Sequence, residues 1–336
     1  MTEKNYALSY IITNASINLA IEIAELVSAV TLKKETTDDS QIRRENQMRS
    51  ICSSLAIENT SLSLEQVMDV IAGKRGKLAP DDVREIRNMH EAYSLMPALD
   101  PFSMTDMLSA HEMLTAGLTK EAGRFRSGRE ELPAQTAPPA VIVPKLMHDL
   151  ANWAKTSEAH SLIKSCVFHY EFNFIQPFTD GNGRMGRMWQ MLMLSRWKPF
   201  FAYLPVEALL RERREEYYDV LAVYENAVDS TAFIEFMLSV IRDVLRELQQ
   251  TEQVHERISE QVKRLLTVLG KETLSSKELM MRLKLKHRPT FRDNYLLPAI
   301  SFGLVEMTVP DKPNSSRQRY RATTATRFTL DRKANW

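Results

Sequence analysis

The chain has 336 residues, 44% of them hydrophobic, and a net charge of +1, which allows one large domain plus a small one and a real core. The near balance of charge gives the whole chain no electrostatic bias toward nucleic acid or membrane, and no run of about 18 apolar residues is present to span a bilayer. Only ten glycines and fourteen prolines occur, which fits a mostly helical protein. The first residues, Met-Thr-Glu-Lys-Asn-Tyr, do not read as a leader. Cys52 and Cys166 stand apart in sequence and read as buried reduced thiols, so a cytoplasmic location is expected.

Ile17, Ala20, Ile21, Ala24 and Val27 form an apolar stripe, so residues 1–33 hold one or two helices. Residues 34–41 are polar and read as a linker. Met48, Ile51, Leu55 and Ile57 resume helical spacing from Arg43 on. A helix follows over 64–72 with Ser63 as its N-cap. Pro80 opens the next helix, with Asp81 and Asp82 in its first turn. It carries Ile86, Met89, His90, Tyr93 and Met96 on a buried seam, where His90 reads as packed. The helix over 105–116 carries His111, also read as structural. Residues 117–139 break the pattern, with Gly123, Gly128, Pro133, Pro138 and Pro139 marking turns. Helices over 141–156 and 159–169 then lead into residues 169–187.

That stretch runs His-Tyr-Glu-Phe-Asn-Phe-Ile-Gln-Pro-Phe-Thr-Asp-Gly-Asn-Gly-Arg-Met-Gly-Arg. Pro177 biases Gln176 away from the helical region, so a helix stops there. Gly181 and Gly183 allow backbone N–H groups to turn around a small anion. Residues 185–197 are helical again, which places the loop at a helix N-terminus suited to phosphate. Asp180 offers a hard oxygen ligand for Mg²⁺. Arg184 and Arg187 lie three apart on one face, and two guanidinium forks suit a di- or triphosphate. His169 is about 10 Å along a helix axis from position 176, too far to share one proton, and reads as structural.

Helices are expected over 211–223 and 231–249, and a bridging helix over 252–269 ends at Gly270. Ser275 and Glu278 form a capping box, and a second helix runs from about Pro289 toward Gly303. Residues 304–309 and 317–322 read as strands joined by a turn over 310–316. A helix–turn–helix followed by a hairpin is a winged helix. Lys284, Lys286, His287, Arg288, Arg292, Arg317, Arg319 and Arg321 make it locally basic. Such a stripe serves phosphate contact or is the solvated face of a protein-interaction module.

Residues 176–187 resemble the signature of Fic-domain proteins, His-Pro-Phe-x-Asp/Glu-Gly-Asn-Gly-Arg-x-x-Arg. Pro177, Phe178, Asp180, Gly181, Asn182, Gly183, Arg184 and Arg187 match it, and the family's catalytic histidine falls on Gln176. The resemblance implies transfer of AMP from Mg·ATP to a Ser, Thr or Tyr hydroxyl of a target protein. It puts Mg²⁺ on Asp180, the phosphates on the loop amides, Arg184 on the nucleotide and Arg187 on the γ-phosphate. An amide has no useful basicity, so Gln176 forgoes a general base worth about 10²–10⁴ in rate. Ser54-Leu55-Ala56-Ile57-Glu58-Asn59 resembles the family's inhibitory motif, Ser/Thr-x-x-x-Glu-Gly/Asn. That resemblance implies a pairing of Glu58 with Arg187 that blocks the γ-phosphate, in the subclass whose inhibitory helix is N-terminal. Residues 122–126 resemble the lead into a β-hairpin flap that holds the target by strand addition. The flap here, Ser-Gly-Arg-Glu-Glu-Leu, is polar. Tyr218 and Asn226 match positions near adenine and ribose.

The resemblance covers about residues 43–245, and the C-terminal unit is similar to a module of many bacterial members. The implied architecture is mainly α: a Fic-type helical core with a short β-hairpin flap, plus a C-terminal winged helix-turn-helix. Its parts are an N-terminal helical region over 1–100, a Fic core over 101–250 and a winged helix over 251–336. The implied activity is protein adenylyl transfer, autoinhibited by Glu58 and impaired by Gln176. Its rival is a catalytically inactive nucleotide-binding regulator whose winged helix binds a protein, or DNA through Arg288 and Arg292. No membrane partner is expected, and a homodimer stays open.

Overall fold

The computed structural model describes residues 8–34, 40–58, 62–74, 77–127, 137–222, 229–257, 259–270, 272–312, 315 and 317–323. The chain divides into two compact units, 1–246 and 247–336. The first unit is built from α1 (Asn14–Lys34), α2 (Ser40–Ile57), α3 (Leu64–Ile71), α4 (Pro80–Leu95), α5 (Met104–Thr115), α6 (Val143–Thr156), α7 (Ser161–Ile175), α8 (Asn182–Trp197), α9 (Val206–Glu212), α10 (Arg214–Ala222) and most of α11 (Thr231–Arg257).

Helices α7 and α8 form its centre and pack along each other. Both are apolar on nearly every side: Phe168, Tyr170, Phe172 and Ile175 on α7, and Met185, Met188, Trp189, Leu192 and Leu194 on α8, are all fully buried. A helix that is apolar all round must be enclosed by others. Gly186 permits the close approach, since a Cβ there would lie 2.9 Å from the Asn173 amide nitrogen and the His169 ring. Helix α2 packs against α3, α4, α8 and α9, which brings its C-terminal end over the start of α8.

The second unit holds α12 (Glu260–Leu269), α13 (Ser276–Arg282), α14 (Arg288–Phe291), a π turn over Arg292–Leu296 and α15 (Leu297–Ser301). Strands β1 (Val305–Met307) and β2 (Tyr320–Ala322) pair antiparallel with Val305 opposite Ala322. A bridge from Leu274 to Tyr320 ties the hairpin to the segment before α13. Leu265, Leu269, Leu279, Phe291, Ala299 and Val305 give this unit its own core.

Several boundaries differ from the sequence reading. Helix α8 begins at Asn182 rather than 185, because the Met185 N–H already closes onto the Gly181 carbonyl at 2.9 Å. The helix expected over 211–223 starts earlier and breaks at Arg213, whose φ of −102° and ψ of 33° end α9. Helix α11 runs past 249 to Arg257. The bridging helix expected over 252–269 is interrupted by Ser259, which is extended and accepts from the Val262 N–H at 3.4 Å. The polar flap, expected at residues 127–132, lies outside the described residues beyond Ser127, as does Asn226.

Candidate nucleotide site

The site begins where α7 ends. Gln176 caps the helix in a left-handed conformation with φ of 44°, a region that non-glycine residues rarely occupy. Arg126, 5% exposed, makes this geometry affordable. Its Nε donates to the Gln176 carbonyl at 2.7 Å and its Nη2 to the Ile175 carbonyl at 3.1 Å, while its backbone N–H donates to the Pro177 carbonyl at 2.9 Å. One guanidinium thus satisfies carbonyls that the end of a helix leaves without partners. The Gln176 side-chain oxygen is buried without a hydrogen-bond partner among the described residues.

Beyond Pro177 the loop closes on itself. The Phe178 N–H donates to Asn182 Oδ1 at 2.9 Å, and Asn182 Nδ2 donates to the Phe178 carbonyl at 2.7 Å. Asn182 therefore shapes the loop with both ends of its amide. Phe178 is buried and stacks on His111, with ring centroids 3.6 Å apart. The Gly123 N–H donates to His111 Nδ1 at 3.0 Å, so the imidazole proton sits on Nε2 and is donated to the Asp180 carbonyl at 3.0 Å. Burial pushes the His111 pKa down to about 4. Gly181, at φ 81°, then turns the chain into α8, which starts without a side-chain cap.

The two arginines leave α8 in its first turns and are both buried. Arg187 donates from Nε to Ser54 Oγ at 3.0 Å, and from Nη2 to the Ser54 carbonyl at 3.1 Å and Glu58 Oε1 at 2.9 Å. Burial works against the Arg187 charge, but Glu58, together with Tyr217 and Tyr93, more than offsets this and holds its pKa above the ordinary range. Arg184 donates from Nη1 to Glu85 of α4 and from Nη2 to Asp180 Oδ2 at 2.9 Å. The Glu58 carboxylate sits over the helix start: a Cβ on Gly183 would be 2.2 Å from its Oε1. An anion thus already rests where uncapped N–H groups and two guanidiniums favour one.

Of the residues singled out in the sequence, Ser54, Glu58, Asp180, Gly181, Asn182, Gly183, Arg184 and Arg187 come together here. Tyr218 stands beside them, its hydroxyl donating to the Ile57 carbonyl at 3.3 Å. Arg288 and Arg292 are exposed in the second unit. His169 is fully buried between Gln190 Oε1, 2.6 Å from Nδ1, and the Tyr217 hydroxyl, 3.1 Å from Nε2. Burial pushes its pKa down to about 3, in keeping with a structural role. The sequence reading missed Glu85, and it took Arg126 only as part of the lead into the flap, not as the partner of the end of α7. It also missed Glu207, a buried acid of α9 that accepts from Ser50 of α2 and Tyr93 of α4, each at 2.8 Å. No local pattern marks Glu85 or Glu207.

Comparison with known proteins agrees with this geometry. Residues 101–194 match the Fic/DOC family, and residues 260–323 match the C-terminal domain of Fic-like proteins, named for filamentation induced by cAMP. Curated relatives include the protein adenylyltransferase Fic of Aedes aegypti, 26% identical over 206 residues, and fic-1 of Caenorhabditis elegans, 27% identical over 213. These matches cover 58% and 59% of this chain and 40% of each relative, so the chain spans about two fifths of their length. A Fic-1 structure from C. elegans shares the fold at 20% identity and a TM-score of 0.60, covering 71% of this chain and 73% of that one. A crystal structure of a Fic family protein from Desulfovibrio desulfuricans G20 is 48% identical with a TM-score of 0.70, and the match covers 95% of this chain and 99% of that one. With the signature loop folded on α8 and a relative of that similarity matched almost end to end, this chain belongs to the Fic family.

Proposed function

We propose that the chain is a Fic-type protein adenylyltransferase that takes ATP with Mg²⁺, is held off by Glu58, and is slowed by Gln176. The observation that carries this reading is the Glu58 carboxylate on Arg187 at 2.9 Å, an anion bound at the uncapped start of α8. The same groups fit a phosphate chain: two guanidiniums, a helix N-terminus and glycine at position 183, where a side chain would collide. Asp180, with its side chain 57% exposed, would supply one oxygen to the metal. Among the described residues no group of three His, Cys, Asp or Glu converges to hold a metal by itself, so the phosphates and water would complete the shell. When bound, the metal supplies charge neutralisation on the phosphates. The chain's own part is to place the α-phosphate and to orient the target hydroxyl at position 176.

A second reading, a nucleotide-responsive regulator without catalysis, draws support from the missing base. Gln176 accepts no proton, and the two imidazoles nearest in sequence or fold, His169 and His111, have both ring nitrogens engaged and are pushed toward the neutral form.

Auto-labelling from ATP tagged at the α-phosphate tests both readings across wild type, Glu58→Gly, Gln176→His and the double variant. Each single change removes one of two blocks, so little label is expected from either. The double should exceed their sum, with the histidine restoring about 10²–10⁴ in rate. Strong labelling by wild type would show that Gln176 is no handicap. A double variant that binds ATP in calorimetry yet stays unlabelled would favour the regulator. Absence of nucleotide binding in every variant would overturn both.

A further inference from the structure

Each signature arginine has its own acid, and the two acids come from different helices. Arg187 is held by Glu58 just past the end of α2, and Arg184 by Glu85 in the second turn of α4. We propose that Glu85 is a second gate on the nucleotide seat, keeping Arg184 from the phosphates independently of Glu58. This rests on the reading of the site given above, in which Arg184 meets the nucleotide and Arg187 its γ-phosphate.

Three features argue for a gate rather than a passive surface pair. First, the Arg184 side chain is 5% exposed, between Glu85 at 18% and Asp180 at 57%. Its Nη1 is committed to Glu85 and its Nη2 to Asp180, while its Nε is buried without a hydrogen-bond partner among the described residues. A metal ion taking Asp180 would release Nη2 and leave Nη1 on Glu85. Second, the charges do not balance. Glu58, Glu85 and Asp180 face Arg184 and Arg187, three negative groups against two positive, a net of −1. An incoming phosphate chain is repelled until a carboxylate gives way. Third, the two acids are held differently. Glu58 lies beyond the last residue of its helix, whereas Glu85 sits within α4 beside buried Ile86 and Met89. Glu58 can leave with the helix end; Glu85 must turn away by its own side-chain rotation. Two gates on two arginines would make the seat respond separately to the rest of the nucleotide and to the γ-phosphate.

Calorimetry with Mg·ADP and Mg·ATP separates the gates. The proteins are wild type, Glu58→Gly, Glu85→Gln, which removes the charge and keeps the shape, and Glu85→Ala, which removes the partner; melting curves check that each is folded. A partly buried ion pair predicts that both Glu85 variants bind ADP and ATP about three- to tenfold tighter than wild type. Glu58→Gly should tighten ATP and leave ADP unchanged, because ADP has no γ-phosphate. Unchanged or weaker ADP binding by folded Glu85→Gln would overturn the proposal and make Glu85 a support for Arg184. If Glu58→Gly gains ATP affinity in that same experiment, the nucleotide reading stands and the second gate alone falls. If no protein binds either nucleotide, both fall.

Discussion

Glu171 shows what a single buried group does to this fold. It lies on α7, is 1% exposed, and neither carboxylate oxygen has a hydrogen-bond partner among the described residues. Burial pushes its pKa up from the ordinary 4.5 to about 8, so the folded protein keeps the proton at neutral pH. The unfolded side chain ionises near 4.5, so the proton's contribution is fully present below that pH. It is lost as pH rises toward about 8, at roughly 1.4 kcal/mol per unit. At pH 7 this is on the order of 3 kcal/mol. Glu171→Gln cannot ionise, so its stability relative to wild type should rise by that amount between about pH 4.5 and pH 7. Urea denaturation of both proteins at several pH values measures the gap. A gap that does not change with pH would mean that Glu171 titrates as an ordinary carboxyl. His169 and His111 shift the other way, since burial lowers both, and they contribute a loss of stability as pH falls below about 6.5.

Among the helices, the decisive contact is the end of α2 against the start of α8. Gly183→Ala would place a Cβ 2.2 Å from Glu58 Oε1, so the two cannot coexist. The carboxylate is the end of a flexible side chain and would yield, leaving buried Arg187 with Ser54 and the Tyr217 hydroxyl but without its Glu58 partner. We expect a cost of about 1–3 kcal/mol, the penalty for a buried charge that loses a partner. Glu58→Gly should cost a similar amount. The double variant should cost no more than the larger single, because the same contact is lost in each. Full additivity in denaturation would show that the Cβ and the carboxylate do not compete. The short helices α3 and α13 are secured more locally, by reciprocal capping between Ser63 and Gln66 and between Ser275 and Glu278.

For the whole molecule, the two units have separate cores, and the second carries the basic stripe. Part of that stripe is already paired with acids: Arg321 with Glu306 at 2.5 Å, and Arg319 near Glu278 at 3.6 Å. Lys284, Lys286, Arg288 and Arg292 are exposed around the start of α14, with Asp293 3.9 Å from Arg292. On the regulator reading they meet three or four DNA phosphates, so log K against log salt should have a slope of about −3. Charge reversal at Arg288 and Arg292 in the full chain should abolish retention on duplex DNA. Salt-insensitive or absent retention would assign this unit to a protein partner.

The sequence by itself determined what depends on neighbours within a turn or two. Helical spacing marked most helices, Pro177 marked the end of α7, and Ser63 and Ser275 marked two helix starts, because these signals act over three or four residues. It also settled that position 176 has no base, which is a property of the glutamine amide and needs no fold. Where two local signals competed, it erred: periodicity ran through Ser259 and Arg213, where a cap and a turn prevailed. The resemblance of residues 54–59 already implied that Glu58 meets Arg187, and only the tertiary structure decided that Glu85 meets Arg184. Glu85 and Arg184 are 99 residues apart, and Arg126 reaches a carbonyl 50 residues away. Partners such as Glu85 and Glu207, brought in by the packing of α4 and α9, leave no period or motif in the chain, because the energy that pairs them comes from burial and charge in three dimensions.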